Sequence, residues 1–153
     1  MAAFRIDREC RAPLPEVWAT VTDFGGYGRW IPLTRMRLDP GPVRLGWGFA
    51  GLTGLGPLSF SDSMLVTEWE PPAGSGRRAS FRLVKTGQLL GGWAAIELQA
   101  LGDQQTRLSW REEIVLRPAP LGRRLAPALD PALRHLFAGV LDRMLADPSR
   151  RGG

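Results

Sequence analysis

A chain of 153 residues has the size of one domain and can bury roughly 70% of its unfolded surface. Its composition, 44% hydrophobic and 23% charged, is that of an ordinary globular protein, and no apolar run reaches the ~18 residues that a membrane span needs. A single cysteine, Cys10, excludes an internal disulfide and a cysteine-based zinc site. The net charge of +5 is spread over arginines from Arg5 to Arg151 rather than clustered among aromatics, which argues against a nucleic-acid partner.

The first residues, MAAFRIDREC, hold no hydrophobic signal core, so the expectation is a cytoplasmic protein without membrane insertion. Phe4, Ile6, Arg8 and Cys10 alternate with Arg5, Asp7 and Glu9, the period of a strand with one apolar face. Pro13 and Pro15 stop it and open a short helix over 16–24, with Val17, Val21 and Phe24 on one side. Glycines at 25, 26 and 28 break that helix, and a second short turn of helix follows near 27–31. A strand over 33–38, a turn at Asp39-Pro40-Gly41 and a strand carrying Leu45, Trp47 and Phe49 on one face come next. The stretch GLTGLGP at 51–57 is uncharged and lacks the Gly-Lys-Ser/Thr of a phosphate loop, so it reads as a mobile apolar flap.

Phe60, Asp62, Met64 and Val66 share a face of the fourth strand, which Pro71 and Pro72 end. Ala79, Phe81, Leu83 and Lys85 share one in the fifth, after a turn at Gly74-Ser75-Gly76. The sixth, over 89–101, contains Gly91-Gly92, which suggests a bulge. In the seventh, Leu108, Trp110, Glu112, Ile114 and Leu116 oppose Arg107, Ser109, Arg111, Glu113 and Arg117. A helical stretch over 121–129 ends near Pro127. The last helix, 130–147, begins with Asp130 as N-cap and Pro131 as its first residue. Leu133, Leu136, Phe137, Val140, Leu141, Met144 and Leu145 fall on one stripe of it. The order is α+β: one strand, two short helices, six strands and a long helix, with residues 1–148 as one domain and 149–153 as a flexible tail. Short connections make the later strands antiparallel, and the long helix buries its stripe on the sheet.

The motifs Ala12-Pro13, Glu16-Val17-Trp18, Asp23-Phe24 and Trp30, then Asp62-Ser63-Met64, Trp69-Glu70-Pro71-Pro72, Gly87 with Gly92 and Thr106-Arg107 with Trp110, follow one another in a familiar order. In that order the chain resembles the START-like or Bet v 1-like helix-grip superfamily, and within it the bacterial polyketide cyclase/dehydrase-type branch. The resemblance implies a curved seven-stranded antiparallel sheet gripping the C-terminal helix, two short helices between strands 1 and 2, and an elongated apolar cavity. Such cavities hold sterols, lipids, polyketides, quinones or hormones, so fold alone leaves the function open.

Four ionisable residues stand on otherwise apolar strand faces: Arg8, Asp62, Lys85 and Glu112. A buried charge must find a partner or neutralise. Either Arg8 and Lys85 form internal ion pairs with Asp62 and Glu112, or some of the four meet the polar end of a ligand. Trp47, Phe49, Phe60, Met64, Phe81, Trp110, Phe137, Leu141 and Met144 are the candidate pocket wall, each with a filled core as its alternative. His135, the only histidine, lies opposite the helix stripe and faces solvent, so no metal site and no nucleophile–histidine pair is expected, and no cofactor.

The leading expectation is therefore a binder of a hydrophobic small molecule, with Arg8 touching a ligand oxygen. An alternative is a polyketide aromatase/cyclase in which Asp62 or Glu112 is the base of an intramolecular aldol closure and Arg8 polarises the carbonyl. A third is a protein-interaction module that uses the outward row Arg5, Arg82, Arg107, Arg111 and Arg117. A monomer and a homodimer are both compatible with these readings.

Overall fold

A computed structural model of the protein describes residues 2–74 and 76–146. Ser75 of the expected turn, and the expected end of the last helix at Asp147 and Pro148 with its tail, lie outside the described residues. The chain runs β1 (Ala2–Cys10), α1 (Leu14–Val21), a 3-10 segment (Phe24–Arg29), β2 (Thr34–Leu38), β3 (Gly48–Leu55), β4 (Leu58–Glu70), β5 (Arg78–Thr86), β6 (Leu90–Gly102), β7 (Gln105–Leu116) and α2 (Ala119–Ala146). The strands form one curved antiparallel sheet in the order β1-β7-β6-β5-β4-β3-β2, the helix-grip arrangement.

Each strand alternates as its sequence does, so one face of the sheet is apolar and covered. Phe4, Ile6, Phe81, Leu83, Ile96, Leu98, Leu108 and Trp110 are buried there. Two structures cover this face. On β3–β5, α1 and the 3-10 segment bring down Trp18, Val21 and Phe24. Phe24 stacks on Phe49 with centroids 4.5 Å apart and meets Phe81 edge-on at 5.4 Å, while Trp18 lies 4.9 Å from Trp69. Helix α2 packs chiefly on β1 and β7, where Val140, Leu141 and Met144 are buried.

The glycine-rich stretch is ordered strand, contrary to the expected flap. β3 runs to Leu55 and pairs with β4 as Gly51↔Asp62 and Leu55↔Leu58, leaving Gly56-Pro57 as the turn. Gly54 adopts φ +121°, and a Cβ there would stand 2.2 Å from the Leu58 carbonyl oxygen. Gly54 thus serves close strand pairing, and Gly56, at φ +54°, the turn. Leu45 is exposed and precedes the strand, which begins at Gly48.

No bulge sits at Gly91-Gly92. The register passes through both without a shift, and the irregularities fall between Val66 and Glu68 and between Ala100 and Gly102. Gly92 is a glycine for another reason: its φ is +110°, and a Cβ would lie 1.9 Å from the Glu113 carbonyl oxygen.

The last helix is longer than its capping signals suggest. It starts at Ala119 and carries Pro127 and Pro131 inside it, so Asp130 is an interior residue and not an N-cap. Proline removes one donor and strains one turn, at a cost of about 3 kcal/mol, which the flanking turns of α2 outlast. The apolar stripe is buried only in its second half, since Leu133 and Phe137 are half-buried and Leu136 is exposed.

Candidate functional site

Three of the four ionisable residues meet beneath the sheet. Lys85 faces Gly92 across the β5–β6 register, and Gly92 in turn faces Ile114. With no side chain at Gly92, the lysine reaches past Ala94 to its neighbour Glu112 on β7. Its Nζ stands 2.8 Å from Asp62 Oδ2 and 3.2 Å from Glu112 Oε1. Trp110 Nε1 donates to Glu112 Oε2 at 3.1 Å, and Met64 Sδ lies 3.9 Å from the ammonium. The side chains of Lys85 and Glu112 are each 3% exposed, and that of Asp62 is 20% exposed.

This is a buried ion triad with one positive and two negative members. Burial works against the Lys85 ammonium, but attraction to Glu112 and Asp62 outweighs it and holds the lysine charged above its ordinary range. Glu112 shares that cation with a competitor, so burial pushes its carboxyl above its usual value of 4.5 in spite of Lys85. Asp62 Oδ1 is buried and has no hydrogen-bond partner among the described residues. One carboxylate oxygen in the triad therefore has acceptor capacity left for a donor brought in from outside.

Arg8 stands apart from the triad, which corrects the expected pairing with Asp62 or Glu112. Its guanidinium turns to α2, where Nε donates to Asp142 Oδ1 at 2.7 Å and Nη2 to Asp142 Oδ2 at 3.2 Å. The hydrogen bond from Arg8 lowers the pKa of Asp142. Sequence reasoning missed Asp142: an arginine on an apolar strand face needs an acid, but only the docking of α2 on β1 shows that Asp142, directly after the buried Leu141, supplies it.

Two grooves flank this bridge. The larger, about 780 Å³, runs between β1 and the middle of α2 and is bounded by Phe4, Ile6, Arg8, Asp130, Arg134 and Ala138, with the exposed His135 on its rim. The smaller, about 460 Å³, lies beyond Arg8 and is lined by Cys10, Val17, Asp142 and Met144 among others. Asp130, expected as an N-cap, and Arg134, on which the sequence gives no expectation, are new members of the groove lining. Phe4 connects the groove to the triad. Its ring stacks on Phe137 at 5.6 Å, Phe137 meets Trp110 edge-on at 5.6 Å, and Trp110 donates to Glu112.

The expected pocket wall divides. Trp47 and Phe49 pack on each other, both and Phe81 pack on Phe24, and Phe81 also meets Trp18, so the three are buried core. Leu141 is fully buried. Trp110 and Phe137 belong to the chain of ring contacts just described, Met64 lies beside the Lys85 ammonium, Met144 lines the smaller groove, and Phe60 is 40% exposed near the start of β4. On the outer face the arginine row is largely neutralised. Arg111 pairs with Glu97 at 2.7 Å, Arg5 with Asp7 at 3.1 Å and Arg107 with Glu9 at 3.7 Å, while Arg82 lies over the Trp93 ring. Among the described residues no cluster of histidine, cysteine and carboxylate side chains could hold a metal ion, and no helix is long and apolar enough to cross a membrane.

The profile of one family, described as "polyketide cyclase / dehydrase and lipid transport", matches residues 1–147. The chain belongs to this family. Solved structures give the polyketide cyclase/dehydrase fold further company. The Zhui aromatase/cyclase from Streptomyces sp. R1128 shares 15% identity over 97% of this chain and 94% of that one, with a TM-score of 0.70. A protein from Thermobifida fusca shares 21% identity over 95% and 91%, at 0.62, and norcoclaurine synthase from Thalictrum flavum 10% over 94% and 92%, at 0.60. At such identities the likeness is one of fold. Comparison with curated proteins finds no match.

Proposed function

We propose that this member of the polyketide cyclase/dehydrase family binds an apolar small molecule between the sheet and its C-terminal helix. The observation that carries the reading is the groove of about 780 Å³, within the ~300–1,000 Å³ typical of ligand pockets. Phe4, Ile6 and Ala138 offer it apolar contact, and Arg8 and Arg134 offer donors to a carbonyl, carboxylate or hydroxyl at the ligand's polar end. Titration with a fluorescent fatty acid or polycyclic ketone should saturate. Ala138→Trp should block binding by filling the groove. Arg8→Ala should weaken it roughly tenfold or more, as loss of a charge-assisted hydrogen bond does. Because the Arg8–Asp142 pair is solvent-exposed, the same variant should unfold within about 1 kcal/mol of the parent. Absence of saturable binding across such a panel would refute the reading.

A second reading, intramolecular cyclisation of a poly-β-ketone, draws on the triad. Asp62, with an unpartnered oxygen, would take the proton from a methylene between two carbonyls. The resulting carbanion would attack a carbonyl carbon further along the same chain, and Lys85 would donate toward the new alkoxide. Arg8 has no part in that step, since it points into the groove. If Asp62→Asn still forms cyclised product at the parent rate, Asp62 is not the base.

A further inference from the structure

Three stretches of the sequence converge at one end of the sheet. They are 52–61 around the β3–β4 turn, 86–96 around the β5–β6 turn, and 114–129 from the end of β7 into α2. Antiparallel pairing places them together: Leu55↔Leu58, Thr86↔Gly91 and Leu90↔Leu116 all close the same edge of the molecule. These stretches contain three arginines, Arg117, Arg123 and Arg124, and no acidic residue. Among the described residues none of the ion pairs involves any of the three.

The same end carries large apolar side chains in the open. Leu58 is 86% and Leu55 69% exposed at the hairpin tip, and Leu89, Leu121 and Leu125 are exposed beside them on a loop and on the first turns of α2. Leu121 and Leu125 are four residues apart and share a helix face; Arg124, three residues after Leu121, borders that face, and Arg123 projects from the other side of the same turn. Exposed leucine at the same end as unpaired arginine is the make-up of a segment that sits in a lipid interface.

We propose that this end of the molecule docks on an anionic bilayer surface, with the leucine tips entering the headgroup region and the three arginines facing lipid phosphates. Two observations favour lipid over an acidic protein. The leucines stand on separate tips, a hairpin turn, a loop and a helix start. A fluid bilayer yields to such protrusions, whereas a folded partner would need a matching hollow for each. The tips themselves are uncharged, which suits insertion. The proposal concerns a surface, and it stands or falls apart from the ligand groove.

The test is flotation of the purified chain with phosphatidylcholine vesicles and with vesicles enriched in phosphatidylglycerol, at low and high salt. The parent should float with the anionic vesicles alone, less so at high salt. Arg123→Glu/Arg124→Glu should lower partitioning by roughly fivefold or more per position, about what one arginine contributes near an anionic surface. Leu55→Ser/Leu58→Ser should lower it at both salt concentrations. Arg107→Glu/Arg111→Glu, on the neutralised outer face, should leave it unchanged. The proposal is overturned if the parent ignores anionic vesicles, if it instead captures an acidic protein while leaving vesicles alone, or if the outer-face variant loses as much as the arginine variant. Leu55, Leu58, Arg123 and Arg124 are exposed, and unchanged melting curves identify variants whose loss is not unfolding.

Discussion

Lys85 is the residue on which the interior depends. Removing it leaves Glu112, which is 3% exposed, without its cation, and a buried carboxylate so stranded costs about 3–5 kcal/mol. Lys85→Met should lower the unfolding free energy by about that amount in urea titration. The double variant Lys85→Met/Glu112→Gln should recover part of it, since the orphaned charge is gone. A single and double variant of equal stability would show that Glu112 does not need the lysine. Glu112 also sets a pH dependence. Its folded pKa lies above the usual 4.5, so the folded state binds the proton more tightly than the unfolded one. Its contribution therefore favours folding at low pH and is lost as pH rises through the folded pKa. Glu112→Gln should flatten the stability profile between pH 4.5 and that value. The lysine acts in the opposite range: its raised pKa stabilises below its ordinary 10.5 and the benefit disappears as pH climbs through the folded value.

β6 carries an unusual backbone demand. Gly92 in β6 combines a left-handed φ with a Cβ position occupied by the Glu113 carbonyl, and it opens the path by which Lys85 reaches Glu112. Gly92→Ala should destabilise by at least about 2 kcal/mol, and thermal melting should show the drop. Gly139, where a Cβ would meet nothing within 4 Å, offers the contrast. Gly139→Ala in α2 should gain up to about 1 kcal/mol from helix propensity and reduced freedom of the unfolded chain. A loss at Gly139 comparable to that at Gly92 would contradict this account of what each glycine does.

At the scale of the whole molecule, the order and type of the elements were legible because period-2 alternation in five of the seven strand segments leaves little choice of layer. Asp62, Lys85 and Glu112 were legible as a problem: charges on apolar faces demand one another, and the structure brings these three together. What was not legible depended on contacts distant in sequence. Arg8 is paired across 134 positions to Asp142, and nothing local in RIDREC names that partner. The GLTGLGP stretch reads as a loop by composition, yet its pairing to 58–62 makes the glycines a close-packed strand. Pro127 reads as a break and Pro131 as the start of a new helix, but one helix runs through both. The aromatic wall was foreseen as a set without its division, because Trp18 and Phe24, which fill half of it, come from short helices whose docking site no spacing reveals.

The outermost strands of the sheet, β1 and β2, end its hydrogen-bonded ladder and leave backbone donors and acceptors open to pairing by a neighbouring copy. Both are guarded. β2 has only five residues and carries Arg35 and Arg37, while β1 sets Arg5, Asp7 and Arg8 along the rim that α2 overhangs. Like charges brought edge to edge repel, and short or charged borders frustrate sheet growth. Concentrated solutions of the folded protein should thus resist fibrillar stacking, with Arg35 and Arg37 as the positions whose neutralisation would first erode that resistance.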